Sequence, residues 1–425
     1  MMIERIIKLL KASDATCWKL QKNTVDSEEY FFVREKVDLG RAKRVNHFDV
    51  TVYKDFSEND QHYRGSSSVS LSPLLNQEEL KEAIQGAVFA AGFVKNPWYP
   101  ITESHVMDFK RKDCSLEEET KDSVAAILKA QRDTKAWVNS AELFVNDIQT
   151  KILNSEGLDV SYSKYQTYLE TVVSASGKEE VELYDEFKLS TPDSVLIKER
   201  ISGLLSMVHE RSIAQATPSL KEVPIILTGE PVKEFMRYYF QQANAHLKYD
   251  KISQAEVGKS VQGKETGDKI TMEIIAELEG SYYNSPVDDD GFLIKSENIV
   301  ENGLLEKFWG DLRYSHYLGV EPTGAANNFK VYPGKQTIEQ LRGTPHLEVT
   351  HFSAIDADMA TGDFGGEIRL GWYHDGSKKI PVSGGSVTGN IRDLSSMKLS
   401  KETHLEGDYF GPRSIKIEGF KISGE

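Results

Sequence analysis

The chain has 425 residues, 39% of them apolar and 28% charged, with a formal net charge of −15. This length exceeds one hydrophobic core and predicts two or three domains, while the acidic balance argues against a nucleic-acid-binding protein, which would present a basic face. No stretch approaches the roughly 18 consecutive apolar residues of a membrane span. Cys17 and Cys114 provide neither a disulfide framework nor a spaced metal motif. The sequence therefore predicts a soluble, cytoplasmic protein with no nucleic-acid or membrane partner.

The first 190 residues predict a helix–sheet domain. Apolar residues at helical spacing within residues 2–12 predict an amphipathic first helix. Asn76 followed by Glu79 predicts a capping box that starts a helix ending near Gly92. The other predicted elements of this domain are β-type runs at Thr16–Leu20, Glu29–Arg34 and Arg44–Tyr53, a helix near Leu116–Arg132, and strands at Ala141–Val145, Thr150–Leu153, Ser163–Ser174 and Glu180–Phe187.

A helix start places the predicted domain boundary. Thr191 is predicted to cap this helix, with Pro192 in its first turn, so we predict domains at 1–190 and 191–425. Beyond Val223, short β-type runs separated by glycines indicate a curled or barrel-like sheet, and the fold class predicted is α+β. The runs are Lys269–Glu277, Phe292–Ile294, Glu367–Trp372, Lys379–Val382 and Ser414–Ile422.

One strand–helix unit stands out near the start of this second part. The apolar run Val223–Gly229 is typical of a strand buried on both faces, and a helix is predicted from Val232 to Leu247. One side of that helix combines apolar and polar positions: Phe235, Tyr239, Gln242 and His246. Polar groups on an apolar stripe need partners, so this helix is the first candidate for a functional site.

Three short motifs are interpreted as structural. His209-Glu210 resembles the start of a zinc-protease helix, but no second histidine follows at the required spacing, so a pair at a helix end is favoured. The run Asp288–Gly291 lacks the register of a calcium loop and predicts an acidic turn. The run Gly384–Asn390 lacks the lysine of a phosphate-binding loop and predicts a turn between two strands.

A fourth group keeps two interpretations open. On a strand, His346 and Glu348 would share one face and His351 would lie on the other. The three are candidate metal ligands, although ordinary positions on a strand surface are the more common case.

Several segments of the second half together resemble the TldD/PmbA family, whose second member is also called TldE. Each is short, but their shared order along the chain is specific. Upstream, the run Asn154–Gly157 resembles a turn of the same family. The matching segments are Asp290–Phe292, Ile299–Leu305, Tyr317–Gly319, Glu321–Ala326, Ala360–Phe364, Ile380–Ser383, Val387–Asn390 and Phe410–Ile415.

The resemblance implies a cytosolic peptidase assembly, a homodimer or heterodimer that encloses a chamber for unfolded peptides; an older label of the family is modulator of DNA gyrase. In the catalytic member TldD, a helix bears His-Glu-x-x-x-His and a later Cys completes a zinc site, whereas PmbA/TldE lacks these ligands. Here Gln241, Gln242 and His246 occupy that register, and no Cys follows Cys114. A glutamine amide cannot accept a proton as general base. The resemblance therefore implies the PmbA/TldE type, with no catalytic residue, no metal and no cofactor expected.

The main hypothesis is thus a subunit without zinc that binds peptide and pairs with itself or with a TldD-type homologue. Peptide could add as a strand at glycine-rich edges, for which Gly365, Gly366, Gly384 and Gly385 are the candidates. One alternative is an active metallopeptidase using other ligands, such as those of the fourth group. Another is a stand-alone peptide-binding or scaffold protein.

Overall fold

A computed structural model describes residues 2–111, 114–130, 135–221, 223–264, 266–343 and 345–424. Its mixture of helices and sheets confirms the predicted α+β class. Arg132, where one helix is predicted to end, lies outside the described residues. The helices are α1 Met2–Lys11, α2 Gln77–Ala91, α3 Leu116–Lys129, α4 Ser194–Ser212, α5 Glu230–Gln242, α6 Ala245–Tyr249, α7 Leu312–Leu318 and α8 Ile338–Leu341.

Mostly long, antiparallel strands form the first sheet, in the order β3-β2-β1-β5-β6-β4, with β7 also beside β6. The exception is the short strand β4, which pairs with β6 in parallel. The two runs predicted near residues 16–20 and 29–34 belong to the single strand β1, so their separation is wrong. The polar residues between them are held as strand because β2 and β5 pair with them on both sides. The strands are β1 Cys17–Val33, β2 Lys36–Glu58, β3 Gln61–Leu71, β4 Val106–Phe109, β5 Ala136–Asn154, β6 Asp159–Ser176 and β7 Glu180–Leu189.

Helices cover one face of this sheet. The capping box of α2 is confirmed, since Asn76 accepts from two backbone N–H groups and Glu79 reaches back to the backbone of Asn76. The cap predicted for α4 is wrong by two residues: Asp193, not Thr191, accepts the N–H groups of the first turn. The apolar stripe of α4 is buried against β5, β6 and β7.

Two further sheets make up the second part of the chain. The curled or barrel-like sheet predicted for it is confirmed, in the form of a curled half-barrel. The second sheet has the strand order β10-β19-β22-β9-β15-β16-β17-β8, with β18 beside β16 and β23. Its strands are β8 Gln215–Ala216, β9 Ile225–Thr228, β10 Thr266–Gly267, β15 His346–Ala357, β16 Asp363–His374, β17 Lys379–Ser383, β18 Ser386–Asn390, β19 Ser396–Leu399, β22 Ser414–Glu418 and β23 Lys421–Ser423.

The third sheet follows the order β13-β12-β11-β14-β21-β20. The strand predicted at Phe292–Ile294 is not formed; only an isolated bridge joins Val287 to Leu293. The strands are β11 Met272–Ile275, β12 Glu297–Glu301, β13 Leu304–Leu305, β14 Asn328–Val331, β20 Thr403–Glu406 and β21 Tyr409–Pro412.

The predicted strand–helix unit lies at the centre of the largest hydrophobic core. The apolar residues of β9, Ile225 to Leu227, are fully buried between β15 and β22, as the apolar run predicts, and Pro231 occupies the first turn of α5. Apolar side chains of α5 share this core with strands of both sheets. In the described ranges, no helix combines the length and the apolar character needed to cross a membrane.

Candidate functional site

The helix that carries the predicted motif register is interrupted. α5 ends at Gln242, so the prediction of one helix to Leu247 is wrong. The backbone of Trp309 inserts at this point: its N–H donates to the carbonyl of Ala243 at 2.9 Å, and its carbonyl accepts the N–H of Ala245 at 2.8 Å. Asn244 then caps the short helix α6. The break is imposed by a segment distant in sequence, which helical periodicity does not reveal.

The predicted register residues therefore lie on two helices. Gln242 is buried, with its Nε2 donating to the carbonyl of Met359 at 2.7 Å and its Oε1 accepting the N–H of Gln254 at 3.3 Å. Gln241 is half-buried at the end of α5. His246 is exposed on α6, so it does not share the buried side of α5 as predicted.

Contacts at the surface account for the His246 ring. Its Nε2 lies 3.1 Å from a carboxylate oxygen of Asp250. Its face stacks on Tyr314 with ring centroids 3.9 Å apart. These contacts direct the imidazole to neighbours on α6 and α7 rather than to the glutamines of α5.

A convergent group of potential metal ligands lies elsewhere, on the hairpin of β15 and β16. His346, Glu348 and His374 place their ligand atoms within 4.8 Å of one another, and no other such group of His, Cys, Asp or Glu occurs in the described ranges. His346 and His374 are cross-strand partners whose rings stack at 4.1 Å. The shared face predicted for His346 and Glu348 is confirmed.

His351 does not join this group. His351 is not among the residues whose ligand atoms converge; the register of β15 shifts between Val349 and His351, which places His351 opposite Leu370 of β16. Burial, together with the charge of Arg200, lowers the pKa of His351 to about 4. Its imidazole is thus neutral at physiological pH, in a different part of the core.

The cluster is largely buried, and its carboxylate is already paired with the guanidinium of Arg342. His346 and Glu348 are only 1% and 3% exposed. Arg342, at the end of α8, donates to both carboxylate oxygens of Glu348 at 3.0 Å, and Thr228 donates to one of them at 3.3 Å. Burial lowers the pKa of His346 and of His374, so both rings favour the neutral form.

Sequence patterns did not single out His374 or Arg342, although one signal for His374 existed. If the β-type run Glu367–Trp372 is folded back about the predicted turn at Ala360–Phe364, His374 comes to lie opposite His346. No comparable signal existed for Arg342, because a short helix outside the hairpin brings it to Glu348.

The acidic turn predicted at Asp288–Gly291 is confirmed. The Oδ1 of Asp288 accepts the backbone N–H groups of Asp290 at 2.9 Å and Phe292 at 3.0 Å, and its Oδ2 accepts that of Ala325 at 3.1 Å. Burial, with a smaller effect from the Asp290 charge, raises the pKa of Asp288 from 3.8 to about 7. The carboxyl group thus serves as a structural clamp.

This pKa predicts a pH-dependent stability. Because the folded chain binds the Asp288 proton more tightly than the unfolded chain, the stabilisation is complete below pH 3.8 and is lost as the pH rises to about 7. The loss is at most about 4 kcal/mol. Asp288→Asn does not titrate, so its stability deficit relative to the wild type should be largest at pH 5 and shrink by pH 8 in urea unfolding. Asp289→Asn, at an exposed neighbour, is the control; equal pH slopes for wild type and Asp288→Asn would contradict this assignment.

The predicted peptide-binding glycines occupy two different environments. Gly365 and Gly366 lie in β16 and pair with β15 on one side and β18 on the other, so they form no open strand edge, contrary to the prediction. Gly384 and Gly385 form the predicted turn between β17 and β18, both at positive φ. Peptide binding at these residues stays a prediction.

The interpretation of His209 as part of a pair at a helix end is confirmed. It lies in the last turn of α4, and the carboxylate of the adjacent Glu210 accepts the indole N–H of Trp372 at 3.3 Å. The pair joins the helix to the second sheet.

Comparison with known proteins explains this architecture. A family model of the PmbA/TldA metallopeptidase C-terminal domain matches residues 220–424. A zinc metalloprotease TldD homolog of Saccharolobus solfataricus is 31% identical over 263 residues, 53% of this chain and 57% of the relative. Residues 220–424 form a TldD/PmbA-family domain. The matched segments span 59%, 57% and 47% of the lengths of three curated relatives, about half of each.

Two further TldD/PmbA relatives match over more of the chain. The metalloprotease PmbA of Escherichia coli O157:H7 is 22% identical over 368 residues, which cover 81% of this chain and 78% of that protein. The crystal structure of TldE from Thermococcus kodakarensis superposes with a TM-score of 0.79 at 19% identity, covering 100% of both chains. The fold described above is thus the fold of that TldE structure.

Backbone and side-chain groups of the segments that carry the sequence resemblance fix loops and turns in the second part of the chain. The backbone carbonyl of Thr323 accepts the N–H of Lys295 at 2.8 Å, and its hydroxyl accepts the N–H of Gly310 at 3.1 Å. Between two of the matching segments, the side-chain amide of Asn390 donates to the carbonyl of Thr361 at 3.0 Å. One of these segments thus ties neighbouring loops together, and two others, Ala360–Phe364 and Val387–Asn390, are tied to each other.

Proposed function

We propose that this chain is a PmbA/TldE-type subunit of a cytosolic TldD/PmbA-type proteolytic assembly that acts on unfolded peptides. In this proposal the subunit itself lacks the zinc site and pairs with a TldD-type homologue or with a second copy of itself. The observation that carries the proposal is the hydrogen bonding of the Gln242 side-chain amide. Its nitrogen and its oxygen are both engaged with backbone groups, at 2.7 Å and 3.3 Å, in a buried position.

Chemistry at the register explains why this observation matters. A zinc peptidase needs a carboxylate that takes a proton from metal-bound water, and a glutamine amide has no basic oxygen for that task. Because both ends of Gln242 are occupied, the side chain acts as a tie between α5 and the turn that contains Met359. A buried amide satisfied at both ends is a stable structural element.

The remaining register positions support the same proposal. Zinc prefers imidazole, thiolate or carboxylate ligands, and Gln241 supplies none of them. His246 lies on a separate helix with Asp250 and Tyr314 as neighbours. No cysteine follows Cys114 in the sequence. Two ligands and the base of the catalytic register are therefore replaced together.

A physical route for peptide or partner binding is available at the outer edge of β2. In the described ranges, residues 36–47 of this strand pair with β1 alone, because β3 begins its pairing at Phe48. Val37 and Leu39 are exposed along this edge, at 40% and 46%. An extended segment can add to such an edge through its backbone hydrogen bonds.

A second candidate, an active peptidase with other ligands, is favoured by the convergence of His346, Glu348 and His374. Catalytic zinc keeps one position open to water and substrate, whereas structural sites are closed. Two of these side chains are almost fully buried, and Arg342 occupies both oxygens of the carboxylate. The geometry therefore favours the subunit proposal over this candidate.

Cleavage of an unfolded, alkylated polypeptide tests the proposal. We expect the purified chain alone to give no cleavage that a chelator abolishes, and a mixture with a homologue bearing His-Glu-x-x-x-His to form a complex that cleaves. Chelator-sensitive cleavage by the chain alone would establish the peptidase alternative, and His374→Ala compared with His246→Ala would then locate the metal. Self-association without binding of the homologue would instead favour the scaffold alternative.

A further inference from the structure

The side chains of the β15–β16 hairpin raise a question separate from peptide cleavage. The Nδ1–H of His346 donates to the carbonyl of Gly343, which directs the lone pair of Nε2 into the cluster. That Nε2 has no hydrogen-bond partner although the residue is 1% exposed. Leaving a buried acceptor unsatisfied costs free energy, so this atom points to a ligand.

We propose that His346, Glu348 and His374 form a binding site for one divalent transition-metal ion of the zinc type. The Nε2 atoms of the two histidines and a carboxylate oxygen of Glu348 are the ligands. This site lies outside the helix register considered above, and it adds ion binding to the proposed subunit role without adding catalysis.

The geometry fits such an ion with small movements. The ligand atoms lie within 4.8 Å of one another. Metal–ligand bonds of about 2.0–2.2 Å at tetrahedral angles separate the ligand atoms by about 3.3–3.6 Å, so the widest pair must close by up to about 1.5 Å. His374 is only half-buried and can supply this movement by rotating about its side-chain bonds. A histidine whose other ring nitrogen donates to a backbone carbonyl is the usual arrangement around a bound metal.

Arg342 competes with the ion for Glu348. Its guanidinium neutralises the carboxylate through two hydrogen bonds of 3.0 Å, and a divalent cation placed beside it would be repelled. The Arg342 side chain is 33% exposed, so it can move into solvent when an ion binds. In the structure, Arg342 supplies the positive charge beside Glu348. A bound ion would supply that charge in its place.

Cobalt titration of the chelator-treated full chain tests the site, because the visible absorption of Co²⁺ reports its coordination. We expect one Co²⁺ per chain, displaced by one equivalent of Zn²⁺. His374→Ala should weaken binding by more than about 100-fold, beyond the roughly 10–100-fold cost of losing an outer partner of a metal ligand. His374→Gln, which keeps size and polarity, replaces that variant if it fails to fold.

Two more variants distinguish metal binding at the hairpin from metal binding at the degenerate helix register. Arg342→Gln should tighten Co²⁺ binding by about tenfold, because the competing charge is removed. His246→Ala, at the helix register, should bind as the wild type does. Absence of stoichiometric binding, loss of binding in His246→Ala, or weaker binding in Arg342→Gln would each overturn the proposal. None of these readouts depends on cleavage, so the subunit proposal can fail or hold independently.

Discussion

Phe240→Ala should destabilise the chain by about 3–5 kcal/mol, the cost typical of truncating a fully buried phenylalanine. Phe240 is 1% exposed and lies between the parallel rings of Trp309 and Phe329, with centroids 4.3 Å and 4.5 Å away. Its carbonyl also accepts the indole N–H of Trp309 at 2.9 Å. Removing the ring leaves a cavity between the helix and the third sheet that neither neighbour can fill by itself.

Urea unfolding measures this cost, and the exposed Phe89 provides a matched control. Phe89 is 71% exposed on α2, so Phe89→Ala should change the free energy of unfolding by about 0.5 kcal/mol or less. Phe240→Leu, which keeps part of the apolar volume, should fall between the two. A Phe240→Ala cost within the range of the Phe89 control would show that the stacked rings do not hold the core.

Local signals in the sequence were sufficient for elements whose causes are local. The start of α2 follows from the side chains of Asn76 and Glu79 reaching each other's backbone within four residues. The burial of β9 follows from its apolar run alone. Both depend on neighbours in the chain, which a single sequence displays directly.

Features imposed by distant segments were missed for the same reason. The polar middle of β1, residues 21–28, has the composition of a loop, yet it forms strand because β2 and β5 pair with it on both sides. The end of α5 is set by the backbone of Trp309. Neither partner can be assigned before the tertiary fold is known.

The same distinction between local and distant causes applies to the candidate site. The prediction that Gln242 stands in place of the catalytic base could be made from the sequence, because it depends on residue type and register alone; it stays a prediction. The cluster of potential ligands was only partly visible, since its third member, His374, comes from the neighbouring strand β16. Strand pairing decides which side chains converge, whereas the residue type at a position decides which chemical roles that residue cannot perform.

Arg200→Met should cost about 3–5 kcal/mol, because it leaves two buried carboxylates without their cation. Arg200 donates to both oxygens of Asp185 at 2.7 Å and 2.5 Å and to Glu406 at 3.0 Å. The two carboxylates are 8% and 7% exposed. They raise the pKa of Arg200, which therefore stays protonated as it joins α4, the first sheet and the third sheet.

The origin of this cost can be resolved by a compensating variant and by pH. Arg200→Met combined with Asp185→Asn and Glu406→Gln removes the unpaired charges, so it should recover a large part of the lost stability. Burial already raises the pKa of Asp185 against the opposing charge of Arg200, so the penalty of Arg200→Met alone should shrink as the pH falls and the carboxylates protonate. Lys198→Met, on the exposed side of the same helix, should be neutral within about 0.5 kcal/mol. A penalty that is equal at pH 5 and pH 8 and persists in the triple variant would assign the loss to packing of the Arg200 stem rather than to the buried charges.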